Sequence, residues 1–551
     1  MIQFDISSIP RTLEQAKSRS LELVVKKVKI NILEQVEKSG KEVDTNLRKS
    51  LKRCLLLSHF LLEEKEDFEI VLKEVRAKEV KAIEKEHLYF DLLLLQSELS
   101  LSFVQESLNK LEYDQLVGAY GKWQLLLPNL LKIKYEAQIA NLEKSNWLTT
   151  PAKYLILLEL LIDRIYRFPA KVFFLKAIEL KISQVNKDLH RFWEERSFDW
   201  SSVNRQLIPV KVVVWDTGVD SSCIKYCSSN LSLSYDKNCK LTEEPLMSID
   251  NVTENEWELF KGFLDFKFAK RSIAANYFFK ELAQYDEKDM ARFKTIANQL
   301  IVYCHGTSVA SVVSQGNPCI EIIPIRVTFD ANHVSSTLIL YTEAWIKNSL
   351  KMHNAVFNWL RQHKIPIINI SWLHRAQDID TSLKNTGIVN DKERAILTEN
   401  LFAALKKNLY EGIKNCPNTL FVIGAGNSNG DLEEEAFIPS SFDLPNLITV
   451  GAVNHVGKRT GFTSIGKKVQ IYANGSYVNV TIPTGYNIQS SGTSIAAPQV
   501  ANLAAMILSI RPIMSTVLLK KYILENADSM SGEKILVLNP KRTMEQVLTI
   551  T

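Results

Sequence analysis

Two textures of apolar and polar residues divide the chain. Through the first 200 positions, stretches such as ILEQVEKSGKEVDTNLRKSLKRCLLLSHFLLEEKEDFEIVLKEV and FFLKAIELKISQVNKDLHRFWEE place apolar residues three and four apart with charges between them. That is the spacing of amphipathic helices, and about six of them, packed as a bundle or hairpin array, are predicted. Breaks are expected at Gly40, around Gly118 to Gly121, at NWLTTPAK, where Thr149 or Thr150 caps a helix beginning at Pro151, and at Pro169. The charge-rich, heptad-like run from Leu62 to His87 reads as a solvated helix face, with a partner-binding helix as the alternative.

The texture changes at IPVKVVVWDTGVD. Val210 to Trp215 is a short, continuous, β-branched run of the kind a buried parallel strand requires, ending at Asp216 and a turn-forming Thr-Gly pair. Strand-like and helix-like segments then alternate: IEIIPIRV, YTEAWIKNSLKMHNAVFNWLRQH, KIPIINISW, Asp391 to Asn415, NTLFVIGAGN and LITVGAV. This alternation predicts an α/β fold with a doubly wound parallel sheet. Glycine follows the same division, since 17 of the 20 lie after residue 200. The expected organisation is a helical amino-terminal domain over 1–200 and an α/β domain over 201–551. A helical insertion at about 240–298 contains NEWELFKGFLDFKFAKRSIAANYFFKELAQYDEKDMARFK. It reads either as a lid or regulator-binding element or as a decorated surface loop packed on itself.

Composition adds mainly exclusions. With 67 basic and 62 acidic residues the net charge is +5, and no block of like charge marks a nucleic-acid arm. MIQFDISSIPRTLEQAKSRS lacks the features of a secretory signal. The apolar runs Leu92 to Leu95 and Tyr154 to Ile162 are interrupted by Gln96, Glu98, Glu159 and Asp163, well short of a membrane span. Seven scattered cysteines suit a reducing compartment, and a cytoplasmic location is expected. Cys223, Cys227 and Cys239 lack the paired spacing of a zinc site and read as free thiols.

Three positions carry candidate chemistry. Asp216 stands at the carboxyl end of a strand, where open α/β sheets place their ligands. His305, in YCHGTSVASVV, is expected to project from a helix beginning. Ser494, in SGTSIAAPQVANLAAMIL, stands at the start of a second helix, with Gly492 allowing a tight turn and Pro498 expected in the first turn. VANLAAMIL is apolar nearly all round, as a buried helix requires. Each feature alone reads as a turn or a cap. Together they place an acid, an imidazole and a hydroxyl at strand ends and helix starts of one sheet.

Asp216 in DTGVD, His305 in HGTSVAS and Ser494 in GTSIAAP resemble, in type and order, the motifs of the subtilisin-like serine proteases, or subtilases. GAGN at 424–427 is similar to that family's oxyanion segment, TVGAVN at 449–454 to its following core strand, and KILVLNPKRTMEQVL to its closing segment. The resemblance covers roughly residues 205 to 551. It implies a serine endopeptidase acting on protein or peptide substrates, with Asp216, His305 and Ser494 as catalytic triad and Asn427 as oxyanion donor. Ser371, Trp372, Leu373, Gly424, Ala425 and Gly426 would line the substrate site.

Two departures stand out: Ser308 replaces a second histidine after HGT, and Leu373 replaces a glycine, which should reshape or narrow the S1 entrance. Asp431, Glu433, Glu434 and Glu435 fall in a segment expected to border S1, which suggests a basic P1 preference. No cofactor is required and no metal site is expected. Calcium is common in the family, yet no cluster of oxygen ligands is identifiable. A regulatory protein partner for the helical region is expected; the alternatives are a pseudoprotease binding module and a zymogen with a removable amino-terminal propeptide.

Overall fold

The computed structural model describes residues 113–125, 168–185, 191–200, 207–228, 231–328, 341–530 and 532–549, with isolated positions elsewhere in the first 203. The run Leu62 to His87, Gly40, the Thr149 to Pro151 helix start and the Leu92 to Leu95 run lie outside the described residues. Two compact units form: Met1–Lys187 with Ala269–Ala291, and Asp188–Phe268 with Arg292–Thr551. Residues 188–200 thus join the second unit, and part of the insertion joins the first, against an expected single boundary near 200.

Among the described residues the helices are α1 (Tyr113–Gln124), α2 (Phe168–Val185), α3 (Arg191–Glu194), α4 (Glu254–Lys267), α5 (Ile273–Leu282), α6 (Glu287–Ser314), α7 (Glu343–Gln362), α8 (Ala376–Asn385), α9 (Asp391–Lys414), α10 (Thr493–Ile510), α11 (Thr516–Glu525) and α12 (Pro540–Thr549). The strands are β1 (Val210–Asp216), β2 (Leu233–Ser234), β3 (Ile320–Arg326), β4 (Ile367–Ile370), β5 (Leu420–Gly424), β6 (Leu447–Val453), β7 (Ile471–Asn474), β8 (Val478–Thr481), β9 (Asn487–Ser490), β10 (Asp528–Met530) and β11 (Ile535–Val537).

In the first unit α1 packs on α2. Leu116, Val117, Tyr120 and Trp123 of α1 are buried, and Trp123 lies 4.5 Å from Phe174 between ring centroids. Tyr120 Oη donates to Glu179 Oε1 at 2.6 Å, and Arg271 pairs with the same carboxylate. The break expected around Gly118 to Gly121 is absent: α1 runs through both glycines. A glycine costs a helix only about 1 kcal/mol relative to alanine, less than the buried face of α1 contributes.

The second unit is built on a nine-stranded sheet in the order β10-β11-β7-β6-β5-β4-β1-β3-β2, parallel throughout except where β10 pairs antiparallel to β11. β1 lies between β3 and β4, with Val212 opposite Ile322 on one side and Ile367 on the other. Successive side chains of β1 point to opposite faces. Val212 and Val214 enter the apolar layer shared with α10 and the later turns of α6, while Val213 and Trp215 enter the layer under α7 and α9. Both faces of the sheet are therefore covered, which is why its strands read as unbroken apolar runs. The doubly wound α/β expectation stands.

α10 crosses one face of the sheet, with Ala496, Ala497, Val500, Ala501, Ala504 and Ala505 fully buried. Small side chains let its backbone approach the strands closely. Among the described residues it is the one helix long and apolar enough to cross a membrane, and 83% of it is buried inside the protein.

Candidate active site

Asp216 is the last residue of β1 and is 1% exposed. Its Oδ1 accepts the Thr217 N–H at 2.7 Å and lies 2.7 Å from His305 Nδ1. A carboxylate oxygen only accepts, so Nδ1 carries the proton and Nε2 presents its lone pair. Burial disfavours the imidazolium, but the charge of Asp216 and its hydrogen bond outweigh burial and raise the His305 pKa above its ordinary 6.5.

The helix beginning expected at His305 is not there. α6 is continuous over 28 residues from Glu287, so His305 sits far inside it. Gly, Thr and Ser are weak helix formers and read locally as a cap, but here they are buried against the sheet, and packing overrides propensity. What places the imidazole is a close approach. A Cβ on Gly306 would lie 2.2 Å from the carbonyl oxygen of Gly218, whose own φ is +107°. With no side chain at either position, the Gly306 N–H reaches Thr217 Oγ1 at 2.9 Å. The Thr-Gly after Asp216 and the glycine after His305 thus lock strand end to helix. Ser308 is buried, its hydroxyl donating to the Cys304 carbonyl at 3.0 Å.

Ser494 is the second residue of α10, after an N-cap at Gly492 with φ +154°. A side chain at Gly492 would meet Ser494 Oγ at 3.1 Å and Asn427 Nδ2 at 3.4 Å, so both groups border the space that the missing side chain leaves. The orientation of Asn427 follows from its partners. Its Oδ1 accepts from the Thr493 N–H at 2.9 Å and the Thr493 hydroxyl at 3.1 Å, which turns the NH2 group toward Ser494. The Ser494 N–H, in the first turn of α10, borders the same space at 3.8 Å. Pro498 stands one turn further into the helix than expected. It leaves the Ser494 carbonyl without its helical donor, and Ser371 Oγ supplies one at 3.2 Å.

These groups open on a cavity of about 420 Å³. His305, Asn427, Ser494, Ser371, Trp372, Leu373, Gly424 and Gly426 line it, as expected for a single site. Ala425 does not. It is fully buried with Leu432 against Phe437 of the wall, because alternate residues leaving β5 face opposite ways. Leu373 packs on that same group, replacing open space with an apolar wall. The four acidic residues at 431–435 are also absent from the lining. Asp431 accepts the backbone N–H groups of Glu433 and Glu434, and Glu435 accepts the Ser428 hydroxyl, so these carboxylates organise their own loop. The charge in the wall belongs instead to Arg375 and Asp378, paired through two hydrogen bonds of 2.9 and 2.6 Å. Glu435 reaches the wall only through its charge on Arg375 and its bond to Ser428.

Sequence reading also missed Ile301, Val302, Tyr341 and Phe437 in the lining. Ile301 and Val302 lie four and three residues before His305, and recognising α6 as one helix would have placed them beside it. Among the described residues, no group of three or more His, Cys, Asp or Glu side chains is placed to hold a metal.

The sequence model of the subtilase family matches residues 209–543, more than half of the chain. The chain belongs to the subtilase family. Among relatives of this subtilase, "Subtilisin-like protease 2" of Arthroderma otae is 33% identical over 140 residues, covering 25% of this chain and 32% of the relative. Subtilisin NAT of Bacillus subtilis subsp. natto is 34% identical over 93 residues, covering 17% and 24%. The matched stretches thus span about a third or less of these relatives. Solved structures similar to this subtilase include the A-subunit of the AB5 toxin from E. coli, with TM-score 0.38, 18% identity and coverage of 62% of this chain and 93% of that one. A cold adapted subtilisin-like serine proteinase matches with TM-score 0.37, 19% identity and coverage of 64% and 95%.

Proposed function

We propose that this subtilase is a serine endopeptidase in which Ser494 is the nucleophile, His305 the general base and acid, Asp216 the group that orients the imidazole, and Asn427 the oxyanion donor. The observation carrying this reading is the 2.7 Å hydrogen bond from His305 Nδ1 to buried Asp216, beside the cavity shared by His305, Ser494 and Asn427.

The geometry supports these roles. A neutral hydroxyl is a weak nucleophile, so His305 Nε2 accepts the Ser494 proton as Oγ bonds to the peptide carbonyl carbon. Asp216, already hydrogen-bonded to Nδ1, stabilises the imidazolium that results. Negative charge then develops on the carbonyl oxygen, where the Asn427 NH2 group and the Ser494 N–H donate to it. Both donors are held in advance, the first by Thr493 and the second by the helix start. When the carbon–nitrogen bond breaks, His305 delivers its proton to the leaving amine. Water repeats the sequence on the acyl-enzyme and frees Ser494. No step requires a bound group beyond substrate and water.

Fluorophosphonate labelling tests the reading. The full chain should take up one label and hydrolyse peptides, and Ser494→Ala should do neither while unfolding within about 1 kcal/mol of wild type. Hydrolysis that survives in Ser494→Ala rejects the assignment. We further propose that the helical amino-terminal region binds a partner or restrains the peptidase, a reading supported by the separate compactness of the first unit. Intact-mass analysis addresses it: trimming near residue 200 that depends on Ser494 would make the region a removable propeptide instead.

A further inference from the structure

α6 does not begin at His305 but rises past it, and that extension forms part of the cleft. Ile301 and Val302 share the face of α6 that carries His305 and line the same cavity. Ile301 is 41% exposed, so part of its side chain is open to whatever enters the cavity. The ridge is fixed from behind by groups of the same unit. Tyr303 meets Trp257 of α4 edge-on at 6.0 Å, Phe293 meets Phe263 at 5.7 Å, and the side-chain amides of Gln299 and Asn251 bond reciprocally at 3.0 and 3.1 Å. A β-branched side chain on such a helix has little rotamer freedom with which to retreat.

The course of a substrate follows from the proposed function, on which this inference rests. With its carbonyl carbon at Ser494 Oγ and its oxygen at Asn427, the scissile residue sends its side chain into the recess walled by Leu373, Gly424, Gly426 and Phe437. Side chains of an extended chain alternate in direction, so the preceding residue, P2, faces the opposite wall. The lining groups carried by α6, Ile301, Val302 and the His305 ring, stand on a different element from that recess, and P2 is assigned to them.

We propose that Ile301, backed by Val302, is a specificity-determining residue that restricts P2 to small side chains. Substrates are accordingly peptide segments with glycine, alanine or serine before the scissile residue. A peptide series varied only at P2 tests this on the full chain. Wild type should favour Gly and Ala over Leu and Phe by about tenfold or more in kcat/KM, within the range that one or two methylenes command in a rigid pocket. Ile301→Ala should shrink that ratio to about threefold or less, and Ile301→Phe should widen it. A flat wild-type profile, a wild-type preference for Leu or Phe, or an Ile301→Ala profile superimposable on wild type overturns the inference. Fluorophosphonate labelling separates the two levels of failure. A labelled protein with a flat P2 profile sinks this inference alone, whereas a folded wild type that neither labels nor cleaves sinks the proposed function with it.

Discussion

Replacing Gly306 by alanine adds one methyl group where the structure has least room for it. The new Cβ would stand 2.2 Å from the Gly218 carbonyl oxygen, and a carbon–oxygen contact needs about 3.3 Å, so α6 and the β1 loop must part by about 1 Å. Overpacking of this kind costs about 1–3 kcal/mol. Loss of the buried bond from the Gly306 N–H to Thr217 Oγ1 adds about 1 kcal/mol, and the better helix propensity of alanine returns about the same. The net expectation is a destabilisation of about 1–3 kcal/mol, read as a lowered urea midpoint. Activity should suffer more, because the displaced residue carries His305 away from Asp216. A misplacement of about 1 Å costs on the order of 10²-fold in rate. Gly118→Ala is the control, since that glycine also lies inside a helix but has nothing within 4 Å of the added atom. It should stabilise by about 0.5–1 kcal/mol. If Gly306→Ala were as stable as wild type and kept its kcat, the account of how strand end and helix position the imidazole would be wrong.

Other outcomes follow from single groups. With His305 as the proposed general base, kcat/KM for peptide hydrolysis should rise with pH through a midpoint above 6.5, and a midpoint below it would contradict the Asp216 contact. Asn427→Ala should lower kcat by about 10²–10³ with little change in KM, the size found when one oxyanion donor is removed from subtilisin. Asp216→Asn should lower kcat by about 10⁴, since an amide favours the wrong imidazole tautomer. Burial against Trp215 and Trp372 pulls His353 down to about 4, and burial beside Tyr341 together with neighbouring His353 pulls His374 down to about 3. The unfolded chain protonates both near 6.5 while the folded protein does not. The stability from keeping them neutral is therefore full above pH 6.5 and is lost as pH falls toward 4 and then 3. His353 alone accounts for about 3 kcal/mol, and replacing it with a neutral aromatic should flatten acid unfolding between pH 6.5 and 4.

The strands of the sheet were legible because a parallel strand covered on both faces must be apolar at consecutive positions, as in Val212 to Trp215 and Leu420 to Ile423. The motifs around Asp216, His305, Asn427 and Ser494 were legible for a different reason, since residue types in a required order mark the family without any knowledge of packing. Helix limits were less so. HGTS reads as a helix start and Gly118 as a helix break because local propensity is weak there, and in both places buried neighbours outweigh a preference of about 1 kcal/mol.

By itself, then, the sequence determined the alternation of strand and helix and the motifs that mark the family. Tertiary structure decided the rest. It made α6 continuous through His305, so that Ile301 and Val302 overlook the cleft; it buried Ala425 and kept the acidic loop out of the lining; and it turned the Asn427 amide by giving its oxygen to Thr493. These outcomes depend on contacts between positions far apart in the chain, such as Gly306 with Gly218 and Asn427 with Thr493. No local pattern encodes which atoms will meet when two such segments are brought within a few ångströms.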